Sequence, residues 1–328
     1  MPERGRRTAS LRAGLAALGA LVLAAVAGPP LLGGDSERAL DPPATALSPP
    51  GARFETLRLT AGYELAGSRV TRAGDRWLVE GPRGVREVPA LRVDPARPVA
   101  VVRFWLGSDA LGRDVAARAL QGGRVSLAVA FAAVALSLLC GIPAGLAAGL
   151  ARRPFDGPLL GAIEAAQAFP RLFLLVALVA VVPAGVSATV AILGFTGWMP
   201  VARLVRSETR RMRHSDFVLA ARAAGVGRVR LALRHLLPNM AAPVAIEASL
   251  AMGAAVTAEA ALSFLGLGVP PPVPSWGNLI ADGRALAASA WWVALFPGLA
   301  LVATVVACGL VGDALRDRLD PRSAPIGG

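Results

Sequence analysis

RLVRSETRRMRHSDFVLAARAAGVGRVRLALRHLLPN, the stretch Arg203–Asn239, carries nine arginines against only Glu208 and Asp216, and long apolar runs flank it on both sides. Positively charged connections resist translocation, so a loop of this composition faces the cytoplasm. It orients the whole chain and offers a docking surface to a partner on that side. An apolar body with one structured basic loop points towards transport and away from chemistry.

Composition around the loop agrees. The 328 residues are 55% hydrophobic with a mean hydropathy of +0.56, above the roughly 45–50% apolar share of soluble domains. There is no lysine, so all 34 basic residues are arginine. A Walker A loop needs its lysine on the nucleotide phosphates, so any ATP-driven work falls to a separate subunit. High basicity can mark a nucleic-acid surface. Here the arginines lie between apolar spans and aromatics are 5% of the chain, so the charge reads as topology-setting and no nucleic acid is expected. Cys140 and Cys308 fall in apolar runs and read as small core residues.

A membrane-spanning helix needs roughly 20 apolar residues. Six stretches qualify: Leu11–Leu32, Val125–Leu150, Leu159–Val182, Ser187–Val205, Ala241–Leu267 and Ala290–Leu310. Arg4, Arg6, Arg7 and Arg12 hold the N-terminus in the cytoplasm. Ala25-Val26-Ala27 resembles a signal-peptidase site, but the apolar run continues to Leu32, which favours a retained anchor. Six spans then place Arg152-Arg153, the basic loop and the Arg316–Arg322 tail inside, while the outer connections Pro183–Gly185 and Val269–Ser289 hold only Arg284. The expected fold is an all-α polytopic membrane protein of about six transmembrane helices. Both termini are cytoplasmic.

Residues 34–123 are arginine-rich yet lie outside, which long segments tolerate. Alternating patterns over Arg53–Leu59, Arg69–Arg72, Arg76–Glu80 and Val85–Leu91, broken by Ala73-Gly74-Asp75 and Gly81-Pro82, predict a small extracytoplasmic, β-containing insertion. A disordered Pro-flanked connector is the competing reading, and Asp41–Pro50 is an Ala/Pro-rich linker. The expected division is 1–33 for the cytoplasmic end and first helix, 34–106 for the insertion, 107–322 for the transmembrane domain and 323–328 for a tail.

Within the loop, Ser215 is placed to cap a helix with Asp216 in its first turn. The helix runs through Ala220, Ala221, Ala223 and Ala224 and stops at Gly225. A second helix carries Val226, Val229, Leu233, Leu236 and Leu237 on one arc of roughly 100°, with Arg228, Arg234 and His235 off it and Pro238 ending it. Such a hinged pair can contact a soluble protein, or it can rest on anionic lipid.

These residues resemble a family. Ala220-Ala221-x-x-x-Gly225 with Leu237-Pro238 is similar to the Glu-Ala-Ala loop of ABC-importer permeases, although Leu219 stands where that pattern has Glu and His235 where it has Ile. Arg234-His235-Leu236-Leu237-Pro238-Asn239 is similar to the dipeptide, oligopeptide and nickel branch. So are Gly107–Val115, Glu259–Gly268 with Pro274-Ser275-Trp276-Gly277, and Gly312–Arg322. The resemblance covers about 107–322. It implies docking of the loop, through Ala220, Ala221, Gly225, Arg228, Arg234, His235, Leu237 and Pro238, into a groove of an ATPase subunit. It also implies a homologous permease, two cytoplasmic ATPases, an extracytoplasmic solute-binding protein, membrane lipid around the helices and a bacterial inner-membrane location. ATP is used by the partner subunits and no cofactor is bound by this chain. The cargo expected is a di- or oligopeptide, with nickel as the alternative.

Charges at membrane depth call for a role. Glu164, Gln167 and Arg171 share one helix face and either line a translocation path or mark the helix's cytoplasmic end. Glu247 and Glu259 are roughly 18 Å apart along one span and face the path or hydrogen-bond to neighbouring helices, the latter favoured for Glu259 by Ser263 one turn on. His214 and His235 are too few for a metal site. A membrane-embedded enzyme would need a catalytic pair at matching depth, and none is visible. An anchored extracytoplasmic module would not need the later spans.

Overall fold

The computed structural model describes residues 2–31, 36–151, 161 and 170–319. Its elements are α1 (Pro2–Leu31), α2 (Pro42–Thr45), β1 (Arg53–Arg58), β2 (Glu64–Gly67), β3 (Arg69–Ala73), β4 (Arg76–Gly81), β5 (Gly84–Pro89) and β6 (Val99–Arg103). There follow α3 (Val115–Leu150), α4 (Arg171–Val179), α5 (Val186–Met212), α6 (Asp216–Ala223), α7 (Arg228–Leu231), α8 (Leu237–Asn239), α9 (Ala241–Phe264), α10 (Trp276–Arg284) and α11 (Trp292–Leu319). Among the described residues five helices, α1, α3, α5, α9 and α11, are long and apolar enough to cross a membrane. Of the span expected over Leu159–Val182, only residues 161 and 170–182, which include α4, are described. Arg152-Arg153 and Arg322 lie outside the described residues.

Several expected boundaries move. α3 begins at Val115, well before Val125, because Asp114 caps it by accepting from the Ala116 N–H at 2.8 Å. α5 continues to Met212, so the first third of the basic stretch is helix rather than loop, with Glu208 and Arg211 paired at 2.7 Å one turn apart. Cys140, expected in the core, is exposed, while Cys308 is buried.

The chain divides into two compact units. One comprises Val22–Val125 and Pro271–Ala300 and contains all six strands. These form two antiparallel three-stranded sheets, ordered β2-β1-β6 and β3-β4-β5. The four expected strands are present, and the connector reading is set aside for 53–103. β2 and β6 were not anticipated, since a four-residue strand ending in Gly67 and the run Val99–Arg103 have no clear alternation or flanking turn pair. Leu57, Val70, Val79 and Val88 form the apolar filling between them. Gly67 permits the sheets to meet, because a Cβ there would lie 2.3 Å from the Glu80 carbonyl oxygen. Glu55 then accepts the Val70 N–H at 2.6 Å. The expected linker starts as an anchor: Asp41 accepts the Ala66 N–H at 2.7 Å and pairs with Arg86.

The same unit gathers two segments that the sequence had only placed in order. Asp109 pairs with Arg113 at 2.7 Å and with Arg118 at 2.6 Å, and the Asp109–Arg118 side chains are 4% and 6% exposed. The Trp292 indole donates to the Ser108 carbonyl at 3.1 Å, and Gly107, at φ 84, leaves the room for it. The Trp276 indole donates to Ala119 at 2.9 Å, and Gly122 and Gly123 let the Ser275-Trp276 turn lie directly on α3. Arg118 and Trp292 carried no signal in sequence, because only the folded turn brings them to Asp109 and Ser108.

The other unit comprises Met1–Leu21, Ser126–Pro270 and Leu301–Gly328. Here α3 presents Gly141, Gly145 and Gly149, four residues apart and so on one helix face. A Cβ at these positions would lie 2.7 Å from the Trp198 carbonyl, 2.6 Å from the Ala202 carbonyl and 2.5 Å from Thr209 Cβ of α5. Small residues spaced this way let two membrane helices pack backbone to backbone, where van der Waals contact rather than hydrophobicity drives association. Ser137 adds a hydroxyl bond to the Gly194 carbonyl at 3.1 Å.

Gly145→Leu is therefore expected to cost about 1–3 kcal/mol of packing, lowering the detergent-solubilised melting temperature and the monodisperse yield. Gly309→Leu, where nothing lies within 4 Å, is the comparison that should leave both unchanged.

Candidate coupling site

α6 forms because Asp216 and three alanines, Ala220, Ala221 and Ala223, are strong first-turn and interior residues. Ser215 occupies the N-cap position, but its hydroxyl donates to the Met212 carbonyl at 2.6 Å instead of accepting from the helix, so the expected side-chain cap is not made. The helix ends as expected at Gly225, which sits at φ 77. The Val226 N–H reaches the Ala221 carbonyl and the Gly225 N–H reaches the Arg222 carbonyl, both at 3.0 Å. That crossed pair is the Schellman arrangement, and it requires a left-handed residue at Gly225.

Beyond the turn the expected second helix is broken into pieces. α7 passes into a π-helical segment, Ala232–Leu236, and then into α8. The widened turn precedes Pro238, which has no N–H to donate and whose ring would crowd the carbonyl four residues back. Pro238 lies within α8 rather than ending the segment, and the chain turns at Met240. The predicted arc is accordingly corrected. Leu231, Ala232 and Leu236 are buried, Val226 and Leu237 are half-buried, and Val229 and Leu233 are 73% and 56% exposed.

The buried side joins a core with Leu146 of α3, Val201, Val205 and Met212 of α5, and Val218 and Ala221 of α6. The segment is thus mounted on the α3–α5 pair. Its outward face carries Ala220 and Gly225, the exposed Arg228, Arg234 and Pro238, and His235 at the margin. Phe217 and Leu219, 42% and 49% exposed, extend that face and make it more apolar than expected. Phe217 was missed because an apolar residue in a helix reads as core until the opposite face is seen to be packed.

Glu164 and Gln167 lie outside the described residues, and Arg171 opens α4 with its side chain outside them. Glu247 is half-buried and fronts a cavity of about 170 Å³ with Ser137, Pro200 and Leu250. Glu259 is completely buried; the Ser263 hydroxyl donates to its Oε1 at 2.7 Å and accepts the Val269 N–H at 3.1 Å. Glu259 thereby ties the end of α9 to the chain that follows it. His214 accepts from Arg213 Nε at 2.9 Å.

Asp114, half-buried at the head of α3, lies outside the spans. Burial raises the Asp114 pKa above its ordinary 3.8, against the lowering effect of the Ala116 and Ala117 N–H groups.

With this geometry in view, the chain matches the family described as binding-protein-dependent transport system inner membrane component over residues 141–325. It is 41% identical to a peptide transport system permease protein of Brucella suis over 246 residues, 75% of this chain and 81% of that one. It is 40% identical to the di/tripeptide transport system permease protein DppC of Pseudomonas aeruginosa, across 67% of this chain and 73% of that one. In fold it is similar to a chain of the MetNI methionine ABC transporter in an inward-facing conformation, with TM-score 0.52, 18% identity, and coverage of 60% of this chain and 94% of that one. The protein belongs to the binding-protein-dependent transport system inner membrane component family: it is a transmembrane permease of an ABC importer in a bacterial inner membrane. Such permeases work with ATPase and solute-binding subunits and are the membrane part of the importer, not its catalytic part.

Two outcomes follow for the carboxylates. Asp109→Asn should cost up to about 3 kcal/mol, because buried Arg118 then keeps only the half-exposed Asp282, at 3.5 Å, as a charge partner, read as a lowered melting temperature of the purified protein. Because the folded state binds the Asp114 proton more tightly than the unfolded chain, its contribution declines as pH rises above the ordinary carboxylate range. Asp114→Asn should therefore match wild type in acid and gain stability relative to it as pH climbs, in melting curves taken across that range.

Proposed function

We propose that this permease carries di- or oligopeptides, and that it is driven through α6 and the segment after it. The peptide assignment is supported by the relatives named above, both of which are peptide permeases by name; the nickel alternative finds no support in them. The observation that carries the coupling assignment is the Gly225 turn. It holds one apolar face on α3 and α5 and leaves Phe217, Leu219 and Ala220 outward with Arg228, Arg234, His235 and Pro238 at hand.

In this reading ATP binding closes a pair of cytoplasmic ATPases, each seated against such a segment on this chain or on a homologous permease. A push on α6 is passed to Ala221, Val226 and Leu237 and from there to the α3–α5 pair. Rigid-body rocking then alternates access for a peptide delivered by the binding protein. Leu219, at the position where the family pattern has Glu, gives an apolar contact to the ATPase in place of an ion pair. Glu247, with Glu164, Gln167 and Arg171, is assigned to the path, and Glu259 to holding the end of α9. The reading takes six transmembrane helices, the third within 159–182, both termini in the cytoplasm, and 34–106 as an extracytoplasmic insertion on a transmembrane domain of 107–322. The chain itself binds no cofactor or metal, and ATP is consumed by its partners.

Gly225 supplies the test. A β-branched residue there is strained by more than the roughly 1–2 kcal/mol of an ordinary left-handed residue, whereas Asn tolerates that conformation. In the reconstituted complex, Gly225→Val should reduce peptide-dependent ATPase stimulation and uptake about tenfold, with Gly225→Asn close to wild type. Wild-type uptake by the Val variant would sink the coupling role.

A further inference from the structure

Two hollows on the α3–α6 side of one unit share a wall. The first, about 600 Å³, is lined by Arg210, Arg213, His214, Arg222 and Arg228, and no carboxylate among the described residues borders it. Arg222 and Arg228 are exposed. The second is an open apolar groove along α3, walled by Leu139, Ile142, Leu146 and Leu150 on one side and by Val229 and Leu233 on the other. Leu150, Ala151 and Arg228 line both.

The groove runs from Ala135 to Ala151, about 24 Å at 1.5 Å per residue. That is enough for the acyl chain of one leaflet in a hydrocarbon core roughly 30 Å thick. Leu139 and Val229, 72% and 73% exposed, are costly in water and natural against lipid. The arginine hollow lies where that chain's headgroup would be.

We propose that the two hollows form one site for an anionic phospholipid, its phosphate among Arg213, Arg222 and Arg228 and an acyl chain in the α3 groove. Arginine suits the task because its planar fork bonds two phosphate oxygens at once, and basic pockets at the cytoplasmic ends of membrane helices favour anionic headgroups. Free phosphate would use only the hollow and leave the groove bare. A zwitterionic lipid would fill the groove but set its ammonium among arginines. A second protein chain laid in the groove would bring no anion to Arg213, Arg222 and Arg228. Because Arg228 and Val229 follow the Gly225 turn, a bound lipid clamps the moving segment to α3. That clamp's effect on transport rests on the function proposed above; the binding does not.

The test is native mass spectrometry of the full permease–ATPase complex, delipidated and titrated with dioleoyl phosphatidylglycerol, dioleoyl phosphatidylcholine or inorganic phosphate. Phosphatidylglycerol should be retained at least tenfold more strongly than phosphatidylcholine. Arg213→Gln with Arg222→Gln should weaken phosphatidylglycerol about twentyfold and leave phosphatidylcholine unchanged, which also reports that the variant is folded. Leu139→Gln should weaken both lipids. Equal retention of the two lipids, competition by inorganic phosphate alone, or cross-linking of Leu139→Cys to a second protein chain each overturns the site. Peptide-stimulated ATPase activity, measured on the same samples, tells that failure apart from a failure of coupling.

Discussion

The backbone-to-backbone approach of α3 and α5 is the constraint on which the rest of the transmembrane unit depends. In lipid there is no hydrophobic gain from pressing two apolar helices together, so contact must come from fit. Gly141, Gly145 and Gly149 supply it by leaving the space that Val201, Val205 and Thr209 fill. That pair is the platform into which Leu231 and Leu236 sink. Any one glycine lost to a larger residue would displace the floor under the loop as well as the span.

On that platform the basic segment is held at two special backbone points. Gly225 turns the chain through the left-handed region, and the π-helical stretch Ala232–Leu236 admits Pro238. Both replace regular helix where the segment has to change direction yet stay packed. The first reverses the chain with two crossed backbone hydrogen bonds made. The second adds a residue to the turn ahead of Pro238. Leu231 and Ala232 are turned in, while Val229 and Leu233 face outward and make the apolar wall opposite α3.

Much was legible beforehand. Five of the six expected spans match helices long and apolar enough to cross a membrane; they followed from hydropathy, because a backbone in lipid must satisfy its own hydrogen bonds and only long apolar helices do so. Gly225 was legible as a stop, since no other residue adopts its conformation so cheaply. Arg53–Leu59 and its neighbours were legible as strands from alternation. The arc Val226–Leu237 was misread because it assumed an uninterrupted 3.6-residue period. β2 was missed because four residues ending in Gly67 are too few to show alternation, although its partner β1 is next to it in the chain; β6 was missed because it is held by a distant partner, lying against β1 some forty residues earlier. The apolar outward face at Phe217 was invisible because periodicity identifies a face without saying which side is buried.

By itself the sequence determined the membrane class, the arginine loop and the need for a separate ATPase, since each depends on residue type and local order alone. Tertiary structure decided the meeting of Asp282 with Arg118, that of Trp292 with Ser108, and the shared wall of the arginine hollow and the α3 groove. Those are meetings of residues far apart in the chain. Local propensity is blind to them because packing, not periodicity, selects which surfaces touch.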